Sequence, residues 1–429
     1  MRIFRHGTAA GRRWMASLPR SSRPRTAVAR AVSGILDAVR REGDRAVLRY
    51  TARFDGVRFA PRRLHVPPAE IRALAAAADP ALVKALEAMA RRIEAYHRRQ
   101  SRSGFRVRLP DGSLLEEVVT PLDSAGLYVP GGAGAYPSSV LMNAIPARVA
   151  GVPSVTVVTP PRALEQNPAL AAALLVAGAE DAVFRVGGAQ AIAAMAFGTA
   201  RIKAVAKIVG PGNAFVAEAK RQVRGIVEID QEAGPSEVVI LADDSADAGW
   251  VAADLLAQAE HGSGEETVVL VTTSTALAQE VVRLAREGLR SVANRRSAAR
   301  ALRVHGAAVV VRDLAEGVDV VNALAAEHAE VMCRGALAVA RKIVAGAVFV
   351  GPWTPVAVGD YGIGPNHVLP TGGAARRSSA LSVGDFQRRH GRVQMTERGL
   401  RRVADDIVRV ARAEGFPGHA QSVLTRFAR

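Results

Sequence analysis

The sequence holds one cysteine, Cys333, and few aromatic residues, 4% of 429. One thiol excludes a disulfide framework and a thiolate-rich zinc centre, and it fits a reducing compartment. With so few aromatics, Ala, Val, Leu and Ile must fill the interior. At 49% hydrophobic and this length, two domains of ordinary size can each bury a core. Long apolar runs are also missing. None reaches the roughly 18–20 residues of a spanning helix, so no membrane segment is expected. Lysine is scarce: Lys84, Lys203, Lys207, Lys220 and Lys342 are the full set, and the net charge of +17 comes from arginine. Acidic residues are interspersed with the arginines, and no basic motif is interleaved with aromatics. The charge therefore reads as solvated arginine-rich faces, not a nucleic-acid surface.

The first thirty residues lack acids altogether. Arg2, Arg5, Arg12, Arg13, Arg20, Arg23, Arg25 and Arg30 precede the first carboxylate, Asp37. Residues 1–25 read as a loosely ordered basic arm of a bacterial cytoplasmic protein. An organelle-targeting leader has the same composition, and Met15 is an alternative start.

Helical patterns cover Val28–Arg40, the stretch after Gly43 into Tyr50, and the Ala-rich residues 67–100, where Pro67 and Pro68 suit a first turn. From about residue 120, short β-branched runs alternate with Ala-rich helical stretches: Ser154–Thr159, Ala182–Val186, Val205–Val209, Val238–Leu241, Thr267–Thr272, Ala308–Val311 and Ala347–Val350. This alternation predicts an α/β fold of two doubly wound, Rossmann-like parallel-sheet domains. The expected division is residues 26–127 with 237–380 as one discontinuous domain, 128–236 as the second, and a small helical tail over 381–429. In such sheets ligands sit beyond the carboxyl ends of the strands.

Four segments carry chemistry-bearing residues. Gln258 and His261 share a helix face at spacing i, i+3, with Asp244 or Ser245 as cap and Gly262 as stop; they suit a metal, or equally a solvated helix end. Glu327 and His328 offer a general base and a second proton acceptor, or simply two polar residues on a helix. The loop from Gly359 to Gly373 is too rich in Gly and Pro for an element interior and contains Asp360 and His367. Three glycine loops, at Tyr128–Gly132, Gly187–Gln190 and Gly210–Asn213, adjoin strand-like runs; they suit a pyrophosphate or plain turns, and none has the spaced dinucleotide fingerprint.

Taken in order, Asp230-Gln231-Glu232-Ala233-Gly234-Pro235-Ser236-Glu237, Gln258-Ala259-Glu260-His261-Gly262, Glu327-His328, Gly359-Asp360-Tyr361 and Gly364 through Gly373 resemble the histidinol dehydrogenase family. The likeness runs from about Val32 to Val423. It implies a four-electron oxidation of L-histidinol through L-histidinal to L-histidine, with two NAD used in turn. It implies one Zn2+ per subunit on Gln258, His261, Asp360 and His419. Catalysis falls to Glu327 and His328, and NAD contacts to Tyr128, Gln190 and Asn213 within the 128–236 domain. Substrate contacts fall to Ser236, His367 and Glu414 beside the metal ligands and His328. The resemblance also implies a homodimer whose tail reaches the partner subunit's site, supplying His419 in trans. Departures such as Ala326, Ala329, Arg377 and Ala380 leave every ligand and base in place. Related dehydrogenases oxidise other small diols or hydroxy-sulfonates with the same zinc set; His367 and Glu414 favour histidinol. A non-catalytic basic nucleic-acid binder has only the net charge in its favour.

Overall fold

The computed structural model describes residues 1–18, 26–131, 136–231 and 234–428. Arg20, Arg23 and Arg25 of the basic leader, and Gly132, Glu232 and Ala233 of the motifs above, lie outside the described residues. The chain forms two compact units, Met1–Gln100 with Leu122–Phe386, and Ser101–Pro121 with Gln387–Arg429.

The larger unit is built on two six-stranded sheets. Sheet I has the spatial order His65–Val66, Val183–Arg185, Val155–Thr159, Ala125–Tyr128, Lys207–Val209, Glu228–Ile229; the first strand is antiparallel and the rest are parallel. Sheet II is parallel throughout: Arg2–Arg5, Gly306–Val310, Thr267–Thr272, Glu237–Ala242, His328–Met332, Ala347–Val350. Leaving aside the edge strands His65–Val66 and Arg2–Arg5, the strand order of each sheet reverses once, between Ala125–Tyr128 and Lys207–Val209 and between Glu237–Ala242 and His328–Met332. These are the switch points of a doubly wound fold.

Successive side chains point to opposite faces, and both faces are covered. In sheet I, Leu127, Val157 and Val183 pack with Ile93, Leu141 and Leu170 on one side. Their neighbours Tyr128, Val158 and Phe184 pack with Val32, Ile192 and Val216 on the other. Sheet II repeats the plan: Val238, Ile240 and Leu270 meet Val251, Leu255 and Val281, while Val239, Leu241 and Val269 meet Val318 and Val321. Two-sided burial explains why these strands read as unbroken apolar runs.

The N-terminal segment departs from the expected loose arm. Arg2–Arg5 is the edge strand of sheet II, paired with Ala307–Val310. Helix Ala9–Ser17 follows, capped by the Thr8 hydroxyl, and it buries Trp14 among Val239, Val269 and Val309. One large aromatic outweighs the solubility of the surrounding arginines, whose side chains stay in water.

The smaller unit has a three-stranded antiparallel sheet in the order Gln387–Gln394, Leu114–Pro121, Arg106–Arg108, followed by helices Glu397–Ala413 and Pro417–Leu424. The tail is therefore helical as expected, but it opens with a strand rich in exposed arginine. Among the described residues no helix is long and apolar enough to cross a membrane.

Candidate active site

At the carboxyl edge of sheet I, a cavity of about 470 Å³ is lined by Tyr128, Gln190, Asn213, Asp55, Gly188 and Arg162 among others. Tyr128 ends its strand, and its hydroxyl accepts the Gly188 N–H at 3.1 Å. Burial pushes that hydroxyl up to about 12. Gln190 lies in the first turn of helix Gly188–Phe197, is 1% exposed, and has no partner for either amide atom. A buried amide costs free energy unless bonded, so this one is placed for a ligand. Asn213 caps helix Ala214–Val223 with its oxygen, accepting N–H bonds of 3.0 and 3.2 Å from Phe215 and Val216. Its amino group remains for a ligand. Two helices thus begin at this cavity, and their positive ends favour an anion such as a pyrophosphate. The three residues expected to contact NAD are brought together. Asp55 was not singled out, although its buried Oδ2 also lacks a partner.

A second cluster forms at the opposite, amino edge of sheet II. His328 opens its strand and is buried. Its Nδ1 is 3.0 Å from the carbonyl oxygen of Glu237. A carbonyl only accepts, so Nδ1 carries the proton and Nε2 presents a lone pair. Burial, reinforced by His261 and His367, holds this imidazole down to about 3. Glu327 and Glu237 are tied reciprocally: the Glu237 N–H donates to the Glu327 carboxyl at 3.0 Å, and the Glu327 N–H donates to the Glu237 carboxyl at 3.2 Å. The Gly372 N–H adds 3.1 Å to the latter. Burial pushes Glu237 up to about 7 and Glu327 well above the carboxylate range.

The remaining expected residues of this unit join the cluster. His261 Nδ1 lies 3.1 Å from the Ser236 hydroxyl, and Ser236 also reaches the Glu327 carboxyl. His367 lies 3.8 Å from the Asp360 carboxyl and 3.4 Å from the Ser139 hydroxyl; burial holds it down to about 4. Burial pushes Asp360 up to about 6. Gln258 is 3% exposed, and its Nε2 has no partner. Asp247, not Asp244 or Ser245, caps the helix Ala248–Ala259 that carries Gln258, through the Trp250 N–H at 3.0 Å. Asp360 sits near the end of helix Val356–Tyr361. Both helices therefore end at this edge, where the dipole favours a cation.

The charge balance points the same way. Glu237 and Asp360 both act on Glu327, while the nearby imidazoles of His261, His328 and His367 all have lowered proton affinity. No lysine or arginine is among the groups that shift these residues. The cluster gathers three carboxyls whose proton affinity burial raises and three imidazoles whose proton affinity is lowered. Among the described residues no three His, Cys, Asp or Glu side chains are spaced to hold a metal; of those types the expected ligand set has only His261 and Asp360 in this unit. Glu414 and His419 belong to the smaller unit, where Glu414 caps helix Glu397–Ala413 and the His419 ring stacks on Phe416 at 5.2 Å.

The structure also corrects the sequence reading of Glu327–His328, which sit at the start of a central strand and not on a helix. Glu237 went without a role. Its signal was a lone carboxylate directly before the apolar run Val238–Leu241, where a buried strand should open with an apolar residue.

Comparison with known proteins matches the histidinol dehydrogenase family model to residues 18–427. The chain belongs to the histidinol dehydrogenase family. It is 48% identical over 402 residues to the histidinol dehydrogenase of Gluconobacter oxydans, covering 93% of each chain. It is 44% identical to that of Moorella thermoacetica over 424 residues, covering 98% of each. The crystal structure of histidinol dehydrogenase from Elizabethkingia anophelis superposes with a TM-score of 0.92 at 31% identity, covering 100% of this chain and 98% of that one. Membership makes this chain a dehydrogenase, and both edges described above lie within the matched span.

Proposed function

We propose that this enzyme oxidises L-histidinol to L-histidine by two successive hydride transfers to NAD, in the cytoplasm, as the last steps of histidine biosynthesis. The observation that carries the substrate is the cluster of Glu237, Glu327 and Asp360 with His261, His328 and His367 at the amino edge of sheet II. Histidinol brings an ammonium group and an imidazole, and both suit carboxyls that lack a cation. A sulfonated diol would instead meet Glu237, Glu327 and Asp360.

The donor set suits a zinc ion. Gln258 is a buried amide whose Nε2 lacks a partner, burial raises the proton affinity of Asp360, and desolvation lowers that of His261. An amide, an imidazole and a carboxylate form a borderline N/O set, completed by His419 from a partner subunit whose tail reaches this site. Zinc bound there would supply a fixed positive charge that anchors the substrate's nitrogens. The pocket at Tyr128, Gln190 and Asn213 suits NAD, which would supply the hydride acceptor.

His328 Nε2 takes the alcohol proton as the adjacent C–H hydride departs, leaving the aldehyde. The Glu237 carbonyl holds the imidazole in the required tautomer. Glu327 then takes a proton from the water that adds to the aldehyde while His328 returns its proton to the carbonyl oxygen, and the resulting hydrate gives up the second hydride to a second NAD as His328 takes the hydroxyl proton. A cation held by the neighbouring ligands would favour the carboxylate form of Glu327 that this step needs. Ser236, His367 and Glu414 orient the substrate, the first through its contact with His261.

NADH formation by zinc-loaded protein tests this reading, with histidinol set against a panel of diols and hydroxy-sulfonates. Two NADH per histidinol are expected. Turnover of a panel member without turnover of histidinol would replace the substrate and keep the site.

A further inference from the structure

Lys220 is among the largest fully buried side chains of the larger unit, and the chemistry above does not use it. It rises from helix Ala214–Val223 and pairs with Asp230, which follows the neighbouring edge strand Glu228–Ile229. The two side chains are 2% and 3% exposed. A buried ion pair is weak grounds for stability, because desolvation cancels much of the attraction. Its retention calls for another reason.

The geometry supplies one. Lys220 Nζ donates to the carbonyl oxygen of Gly210 at 3.0 Å, and the Gly210 N–H donates to Asp230 Oδ2 at 2.8 Å. The pair therefore grips both polar groups of one glycine. Gly210 follows strand Lys207–Val209 with φ +112, and a Cβ there would stand 2.2 Å from the Tyr128 carbonyl oxygen. Three residues on, Asn213 lines the cavity and caps the next helix. Asp230 also accepts the Gln231 N–H at 2.6 Å, so its carboxyl is held from both sides.

We propose that the Lys220–Asp230 pair is a positioning element for the dinucleotide, setting the path of Gly210–Asn213 so that Asn213 meets the cofactor beside Tyr128. This rests on the dinucleotide reading of the cavity. Neither side chain touches the cofactor; both act through the Gly210 backbone. Removing the charges leaves that backbone free to choose another path across the Tyr128 carbonyl.

Three variants of the full-length protein test it: Lys220→Met, Asp230→Asn, and the charge-free double variant Lys220→Met/Asp230→Leu. NAD affinity is read by fluorescence titration, histidinol affinity by its KM at saturating NAD, and folding by thermal melts. Each single variant is expected to lose at least tenfold in NAD affinity, with the histidinol KM within twofold of wild type. The double variant regains the melting temperature lost by the singles, because no unpaired buried charge remains, yet stays at least tenfold weaker for NAD. A purely structural pair would be rescued in both readouts. Recovery of NAD affinity in the double variant to within twofold of wild type overturns the proposal, and it does so even if the single variants fail to fold. Wild-type protein that binds no NAD would instead sink the dinucleotide reading itself.

Discussion

The two sheets of the larger unit share one winding plan and use opposite edges. In sheet I the candidate cofactor residues follow the strands: Tyr128 ends one, and Gln190 and Asn213 stand where helices begin. In sheet II the candidate chemical residues precede the strands: Ser236 and Glu237 lead one, Glu327 and His328 lead the next, and Gln258 and Asp360 stand where helices end. The difference follows the helix dipole. Helix starts gather unsatisfied N–H groups and suit the anionic pyrophosphate; helix ends gather carbonyl groups and suit a cationic amine and a divalent metal. Both edges use the strands on either side of the sheet's order reversal. On the proposed function, the general expectation of ligands at carboxyl ends would hold for sheet I and invert for sheet II.

The comparison can be broken at either edge, and the expected effects on turnover run from total to slight. His261→Ala should lose zinc and activity together, read by metal analysis beside NADH formation; a fully active, metal-free variant would contradict the ligand set. His328→Ala should lower kcat by about 10²–10⁴-fold, with zinc content and NAD affinity unchanged. Loss of the metal in that variant would show that His328 had been given the wrong role. Gln190→Ala should weaken NAD by about tenfold, on the order of 1.4 kcal/mol, and leave histidinol binding alone. A larger loss for histidinol than for NAD would show that the two edges are not separate in function.

Three further changes should barely alter turnover and should read instead in stability. Trp14→Ala empties a buried site of sheet II and should cost about 3–5 kcal/mol in denaturant melts. The same burial makes deletion of residues 1–25 a stability loss, and wild-type melts from the truncated protein would contradict the packing. Glu330 lies buried on strand His328–Met332, where it accepts the Val356 N–H at 2.8 Å. Burial, and then the Asp254 carboxyl, raise its proton affinity. A raised folded value means the fold favours the protonated form. Its stability contribution is then complete below the ordinary carboxyl range and lost as pH rises through the folded value. Glu330→Gln should flatten that loss between the ordinary carboxyl range and a folded value of about 8, and unchanged slopes from about pH 5 to 8 would argue against it.

Six of the seven strands legible in the sequence are buried on both faces almost throughout, so that apolar residues run on without a break, while the seventh, Ala347–Val350, is a half-buried edge strand. Strand Thr267–Thr272 is the clear case. His328–Met332 was hidden because Ala325-Ala326-Glu327-His328-Ala329-Glu330 has high helix propensity, and the tertiary setting overrode it. Arg2–Arg5 and Gln387–Gln394 were hidden because edge strands keep their arginines in water. In the site, the spacing of Gln258 and His261 placed them at a helix end, but nothing local revealed that Ser236, Asp360 and His367 come to the same place. That convergence is set by which strand lies beside which, a long-range property. Glu237 escaped notice because its role, exchanging hydrogen bonds with Glu327 across ninety residues, exists only once the two strands are paired.

A crystal structure of the enzyme with zinc, NAD and histidinol, phased on the zinc anomalous signal, tests the use of opposite edges most directly. It should show one metal per subunit on Gln258, His261, Asp360 and a tail histidine, with the nicotinamide reaching from the Tyr128 cavity to His328 Nε2. A metal bound elsewhere, or a dinucleotide seated at the amino edge of sheet II, would contradict it.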